Sequence, residues 1–336
     1  MKKICFILAL AGLVLPTVWA KGKPQATAAQ EDFVLTIGLP VEGGLCEAPF
    51  YIAVEKGFYE AEGLKYREFK TEPGTTMTHL TNGTVDITNN LLATMIQPLA
   101  NGLDVKIPLA LHTGCIKVIV PTDSPITTPA DLRGKKIGVP SMNASQRVIP
   151  ARVLAALGIK VDGDGAEVEW LIYPSAELPL ALERGQVDAI GIGDPGASII
   201  ENQGKARAII NSATDASLKD ELCCVTPVRS QTLADHPEAV AKFLRAIQKA
   251  SKWVHENPDE TARIITEKRY VAGDAAVNAQ VLKTYSYRAS VSLAKTALER
   301  NARDLQAIGL VDKSVDVNAL VNNTFVPVPN VPDAAF

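Results

Sequence analysis

Aromatic side chains are scarce in this chain, and basic ones never gather. Phenylalanine, tyrosine and tryptophan make up 5% of the 336 residues, 34 lysines and arginines face 37 acids, and the formal net charge is -3. There is no basic block and no interleaving of basic with aromatic residues, which argues against nucleic acid as a partner. Beyond the first twenty residues no apolar run is long enough to cross a bilayer. The chain has no Gly-x-Ser-x-Gly, no His-Glu-x-x-His and no convincing Ser/His/Asp set, so the familiar hydrolase signatures are missing. Hydrophobic content of 47% and charged content of 21% are ordinary for a globular protein. The length allows one large domain or two modest ones.

The start of the chain reads as a secretory signal. Lys2 and Lys3 form a charged region, residues 4–15 an apolar one, and Val18-Trp19-Ala20 a small-residue cleavage site. Cleavage is expected after Ala20, followed by a polar leader over 21–32. The mature protein is then expected in an exported, oxidising compartment, most simply a periplasm. Cys5 leaves with the signal, so four of the five cysteines remain.

One pattern occurs twice: Leu-x-x-Gly-x-Val-Asp, at Leu80, Gly83, Val85 and Asp86, and again at Leu182, Gly185, Val187 and Asp188. The glycine suits the position just past a helix, where φ > 0 is needed, and the Val-Asp-apolar run then enters a sheet. A helix–glycine–strand unit used twice predicts two similar α/β lobes with a cleft between them. Periodicity places first-lobe strands over 33–39, 66–69, 85–88 and 105–111, with helices starting near Ala48-Pro49, ending at Gly83, and covering 92–100. Residues 116–120 cross to the second lobe. Its strands fall over 135–139, 168–172, 187–192 and 206–210, with helices over 146–157 and 176–183. Residues 222–228 cross back and are expected to pair with 116–120. From His236 the pattern is helical, over 237–255, 258–268, 275–285 and 293–308. Lobe I is therefore expected over 33–116 and 229–331, and lobe II over 117–228.

Several stretches carry a resemblance. Ala48-Pro49-Phe50-Tyr51-Ile52-Ala53-Val54-Glu55-Lys56-Gly57-Phe58-Tyr59 with Glu62-Gly63-Leu64, then Asp131-Leu132-Arg133-Gly134-Lys135-Lys136-Ile137-Gly138-Val139, Gly185-Gln186-Val187-Asp188-Ala189 and Asn257-Pro258 are similar to solute-binding proteins of ABC importers, nitrate/sulfonate/taurine class. The resemblance spans nearly the whole mature chain. It implies a type II periplasmic binding fold, two Rossmann-like lobes joined by two crossing strands, that closes on a small-molecule ligand and delivers it to an inner-membrane permease. It implies no cofactor and no enzyme activity, and a monomer is expected.

In open α/β sheets, ligands sit at strand carboxyl ends beside helix N-termini, which offer free N–H groups and partial positive charge. The loops that qualify hold Cys46, Glu47, Thr75, Thr76, Asn89, Asn90, His112, Thr113, Cys115, Ser141, Asn143, Ser145 and Asp194, the expected ligand-binding residues. Ser, Thr and Asn at such points are also ordinary helix caps, Asp194 can cap the helix after Pro195, and Glu47 can complement a helix dipole. Trp170 and Trp253 read as core. Glu47 and Asp194 are acidic and the loops themselves hold no Lys or Arg, though Arg147 is close, so a ligand with an amine or other donor groups is expected over a simple oxyanion.

The residues leave three readings open for Cys46, Cys115, Cys223 and Cys224: a disulfide, buried free thiols, or a soft-metal site of Cys46, His112, Cys115 and Cys224. Three connectivities are possible, and a bridge between adjacent Cys223 and Cys224 is disfavoured by its geometry. Gly191-Ile192-Gly193-Asp194-Pro195-Gly196 matches the dinucleotide fingerprint after a strand, but Pro195 stiffens the turn and an ordinary strand-to-helix turn explains it. The superfamily implied by the resemblance also holds thiamine-pyrimidine synthases, whose cysteine-rich run is longer than Cys223-Cys224.

Overall fold

A computed structural model describes residues 33–333 apart from Glu42 and Pro73. The expected signal and leader lie outside the described residues, as do the Pro73 and Glu42 parts of the expected turn and first loop. The strands run β1 (Leu35–Pro40), β2 (Tyr66–Thr71), β3 (Ile87–Thr88), β4 (Asn90–Leu91), β5 (Val105–Lys106), β6 (Ala110–Thr113), β7 (Ile116–Pro121), β8 (Lys136–Val139), β9 (Glu169–Ile172), β10 (Ala189–Gly193), β11 (Ala206–Asn211), β12 (Leu222–Val225) and β13 (Val228–Arg229).

They form two five-stranded sheets of the same design. The first is ordered β2-β1-β3-β13-β5 and the second β9-β8-β10-β7-β11. In each, three strands are parallel and the fourth is antiparallel to its neighbours. That antiparallel strand is the one the chain enters just after crossing between sheets: β7 on the way out, β13 on the way back. A third, antiparallel sheet of β4, β12 and β6 lies where the chain passes from one to the other.

The repeated motif has the same job in both sheets. Gly83 and Gly185 take φ of 85° and 65°, ending helices Thr76–Thr81 and Leu178–Glu183. Asp86 N–H donates to Thr36 O (2.9 Å) while its carboxylate accepts from Thr36 N (2.8 Å). Asp188 does the same with Lys136, at 2.8 Å in both directions. Each aspartate thus clips the start of the parallel strand beside it. The two valines match as well. A Cβ on Gly38 would crowd Val85, and one on Gly138 would meet Val187 among others, so the glycines let each valine close over its strand.

Two expectations are corrected. Residues 222–228 do not pair with 116–120. β12 instead pairs with β6 and β4, and β7 is taken up between β10 and β11. The physical reason is proline: Pro227 lacks an N–H and splits the expected crossing strand into β12 and β13, which serve different sheets. Pro108 splits the expected 105–111 strand into β5 and β6 in the same way. Helices Ser230–Asp235 and Val317–Thr324, absent from the sequence reading, complete the architecture. Helix Leu92–Ala100 falls where expected, and helix Pro237–Glu256 packs its apolar stripe through Phe243, Leu244, Ile247 and Val254.

The main core runs continuously through both sheets. A second apolar cluster covers the far face of the second sheet, around Ile119, Leu178, Val187 and Ile190.

The turn at 127–131 is built on one carboxylate. Asp131 Oδ2 accepts from the N–H and hydroxyl of both Thr127 and Thr128, at 2.8–3.1 Å. These bonds, led by the Thr127 N–H, lower the Asp131 carboxyl from 3.8 to about 2. A carboxyl more acidic folded than unfolded adds stability above its unfolded value and loses it as the pH falls through the folded one. Asp131→Asn is therefore expected to lower Tm at pH 7, with the gap to wild type narrowing from pH 4 towards about 2. Parallel melting curves across that window would show the turn to be irrelevant.

Candidate functional site

The carboxyl ends of β1, β3, β6 and β10 and the two chain crossings meet in one region. There the sequence places a short helical turn, Leu45–Glu47, before helix Ala48–Glu55. Pro49 suits the first turn, where no N–H is needed. Glu47 turns back on its own loop: Oε2 accepts from Gly44 N (2.8 Å), and Oε1 from Asn89 Nδ2 (2.9 Å). Burial raises its carboxyl, against the Asn89 and Gly44 hydrogen bonds that lower it. Asn90 Oδ1 accepts from Leu91 N (2.7 Å), and the Oδ1 of Asn89 is buried with no hydrogen-bond partner.

A buried polar chain runs away from this loop. Asp194 Oδ1 accepts from Ser198 N and Oγ, its Oδ2 accepts from the Tyr285 hydroxyl (3.0 Å), and Lys117 Nζ stands 3.4 Å away. Asp194 therefore does cap the first turn after Pro195, but it also joins strand β10 to Tyr285. The Tyr285 ring stacks on His112 with centroids 5.4 Å apart, and Tyr287, tilted against His112, donates to Leu45 O (2.7 Å). Burial, then the nearby Asp194 carboxylate, drives the Tyr285 hydroxyl far above its ordinary range. His112 Nδ1 meets Thr113 O at 3.1 Å. Burial opposes a charge on His112, but the Cys46 thiol beside it raises its basicity overall.

Cys115 and Cys223 form a disulfide, and Cys46 and Cys224 are free and buried. Of the readings the sequence left open, the bridge joins the two crossings. The Cys224 thiol beside it, then burial, pushes the Cys46 thiol well above the usual thiol range.

The two sheets also meet directly. Thr94, near the start of helix Leu92–Ala100, bonds Ser145, the first residue of helix Ser145–Ala156. Ser145 N donates to Thr94 Oγ1 (2.8 Å), Thr94 N donates to Ser145 Oγ (3.1 Å), and the hydroxyls lie 3.0 Å apart. Two helix N-termini, one from each sheet, thus face one another, their partial positive charges satisfied by each other's hydroxyls. Beside this contact lies a small pocket lined by Ala93, Ser145, Ile149, Ser212, Glu221 and Cys223 among others. One Glu221 oxygen there is buried and unpartnered while the other pairs with Arg152.

The remaining expected residues stay local. Thr75 Oγ1 bonds Glu72 O, Thr76 Oγ1 bonds Thr71 Oγ1, and Ser141 Oγ bonds Asn143 Oδ1. Arg147 is engaged locally, with Asp162 and Met142 O and over the Trp170 ring. Trp253 is half-buried under Lys56. Gly191 of the glycine pattern serves packing, since a Cβ there would strike the Gln146 carbonyl. Sequence reasoning missed Thr94, Tyr285, Tyr287, Lys117 and Glu221. The alternation Tyr285-Ser286-Tyr287 was the one available signal, since the helix expected over 275–285 stops at Leu282 and an extended segment there puts both rings on one side.

Residues 47–261 match the family described as NMT1/THI5 like. A protein of Bacillus subtilis described as a binding protein for aliphatic sulfonates is 27% identical over 290 residues, covering 83% of this chain and 84% of that one. The riboflavin-binding protein RibY of Chloroflexus aurantiacus is 25% identical over 335 residues, covering 93% and 90%. Among solved structures, the alkanesulfonate-binding protein SsuA of Xanthomonas axonopodis pv. citri, bound to MOPS, superposes with a TM-score of 0.68 at 20% identity, over 87% of this chain and 99% of that one. At that identity the likeness shows the fold, that of periplasmic binding proteins.

Proposed function

Since this chain belongs to the NMT1/THI5-like family, we propose that it is the solute-binding component of an ABC importer. It holds a small polar solute between lobe I (33–116 and 229–331) and lobe II (117–228) and presents the closed form to a membrane permease. The observation that carries this reading is the meeting of two helix N-termini, at Thr94 and Ser145, between two sheets that the chain joins by two crossings. Lobes joined in this way can part and close, and parting breaks the Thr94–Ser145 bonds and frees those helix-end N–H groups for an acceptor or anionic group of the solute.

The basic side chains on β7 and on helix Ser145–Ala156 are all engaged: Lys117 with Ser198 and Glu201, Arg147 with Asp162, Arg152 with Glu221 and Asp304. The solute is accordingly held by hydroxyls, amides and backbone N–H groups rather than by ion pairs. A sulfonate- or nitrate-like anion and a small nitrogen-containing organic both suit that set, as the different named ligands of the two relatives illustrate. The chain works in the periplasm as a monomer, with its signal removed after Ala20, and acts as a binder rather than as a thiamine-pyrimidine-synthase-like enzyme. Cys223, half of the cysteine pair that suggested the synthase, is spent on the disulfide to Cys115.

The test is native mass spectrometry of the exported protein for a co-purified solute. A thermal-shift screen of sulfonates, nitrate and pyrimidines follows. A rise in Tm with one class identifies the cargo, and no rise with any small solute overturns the reading. Glu47→Ala and Asn90→Ala are each expected to weaken that solute about tenfold, the value of roughly one hydrogen bond. Calorimetric affinities equal to wild type in both would remove the loop ends from the site.

A further inference from the structure

The geometry points to a binding site for a thiophilic d10 metal ion beside the hinge, with the Cys46 and Cys224 thiolates and His112 Nε2 as its donors. The Sγ atoms of Cys46, Cys115 and Cys224 all lie within 4.8 Å of one another. Cys115 is committed to Cys223, which leaves two free thiols, both buried, on separate elements that the fold brings together: the loop after β1 and strand β12. His112 is 1% exposed. Its Nδ1 is occupied by Thr113 O, and its buried Nε2 has no nitrogen or oxygen partner and faces only the Cys46 thiol.

An Nδ1–H donated to a backbone carbonyl leaves the Nε2 lone pair free, the arrangement in which histidine binds metals. The ring cannot easily turn away, since Tyr285 stacks on it and Tyr287 abuts it. Two buried thiols alone would pass as small apolar side chains. The imidazole nitrogen beside them, with no partner but a weak thiol donor, completes a set of three soft donors on separate elements.

Thiolate and imidazole donors select Cu(I) and Zn(II) over hard cations. Zinc prefers four ligands in a tetrahedron, whereas the chain supplies three with the disulfide intact, so Cu(I) is the better match. Binding replaces two S–H bonds by two S–metal bonds and releases two protons, with no change of oxidation state. The site goes beyond the solute-binding reading and stands whichever solute the cleft carries.

The experiment uses the full chain isolated with its Cys115–Cys223 bridge intact. It is titrated anaerobically with Cu(I) from a competing chelator, and the metal is counted by native mass spectrometry. One Cu(I) per chain is expected, protecting Cys46 and Cys224 from alkylation. Cys46→Ser and Cys224→Ser are each expected to lower the affinity at least about 100-fold, the upper end of what losing even an outer partner of a metal site costs. His112→Gln, which keeps both thiols, is expected to lower it, and so serves if the serine variants misfold. Folded wild-type protein that takes up no Cu(I), or a denatured mass showing a second disulfide between Cys46 and Cys224, overturns the site. So does undiminished binding in His112→Gln together with either serine variant.

Discussion

Gly191→Ala is expected to destabilise the protein by about 3 kcal/mol or more, the upper end of penalties for overpacking. Gly191 lies in β10, and a Cβ there would overlap the backbone carbonyl of Gln146, with the Gln146 Cβ also in reach. The obstacle is backbone in the first turn of helix Ser145–Ala156, so no side-chain rotation relieves it. The helix must move off the sheet, and moving it also pulls Ser145 away from Thr94. Denaturant unfolding should show a lower midpoint at unchanged slope, and solute affinity should fall with it. A midpoint equal to wild type would mean that the helix start slides freely over β10.

The second large effect comes from comparing the two copies of the repeated motif. Asp86 is 8% exposed and Thr36 3% exposed. Besides Thr36 N, the Asp86 carboxylate accepts from the Thr232 hydroxyl (2.7 Å) and faces Arg229 at 3.9 Å. Asp86→Ala strands two buried donors, each costing about 1–3 kcal/mol, so a loss of about 3 kcal/mol or more is expected. Asp188 makes the corresponding bond to Lys136 N near solvent. Water can replace it there, and Asp188→Ala should cost about 1 kcal/mol or less. Equal losses in the two variants, read from denaturant midpoints, would refute the idea that burial rather than the motif sets the energy.

This comparison also marks how far the sequence could be read. The repeat announced two like lobes, and each copy performs the same strand-clipping task at Asp86 and Asp188. Helix Leu92–Ala100 was legible to the residue because its apolar spacing begins and ends cleanly. The crossings were not, because an apolar run interrupted by Pro108 or Pro227 looks like one strand until the missing N–H forces its two halves into different sheets. Cys46, His112, Cys115 and Asp194 could be chosen as strand-end residues, and the fold gathers them. Tyr285 and Tyr287 reach the same place from a helical region far along the chain, which local periodicity cannot foresee. Thr94 looked like any polar residue in the first turn of a helix until its partner Ser145 arrived from the other sheet. Thr75, Thr76, Ser141 and Asn143 satisfied the same strand-end rule and turned inward to their own turns.

The bridge between Cys115 and Cys223 spans 108 positions in sequence, and every strand of the second sheet, β7 to β11, lies inside that span. The second sheet is therefore a closed covalent ring inserted into the rest of the chain. Its denatured ensemble is already confined at both ends, and for a ring of this size the chain-entropy model assigns about 4.7 kcal/mol to that confinement. A protease cut anywhere between the two cysteines opens the ring without releasing a fragment, so a nicked molecule stays in one piece, heavier by one water, until a reductant is added.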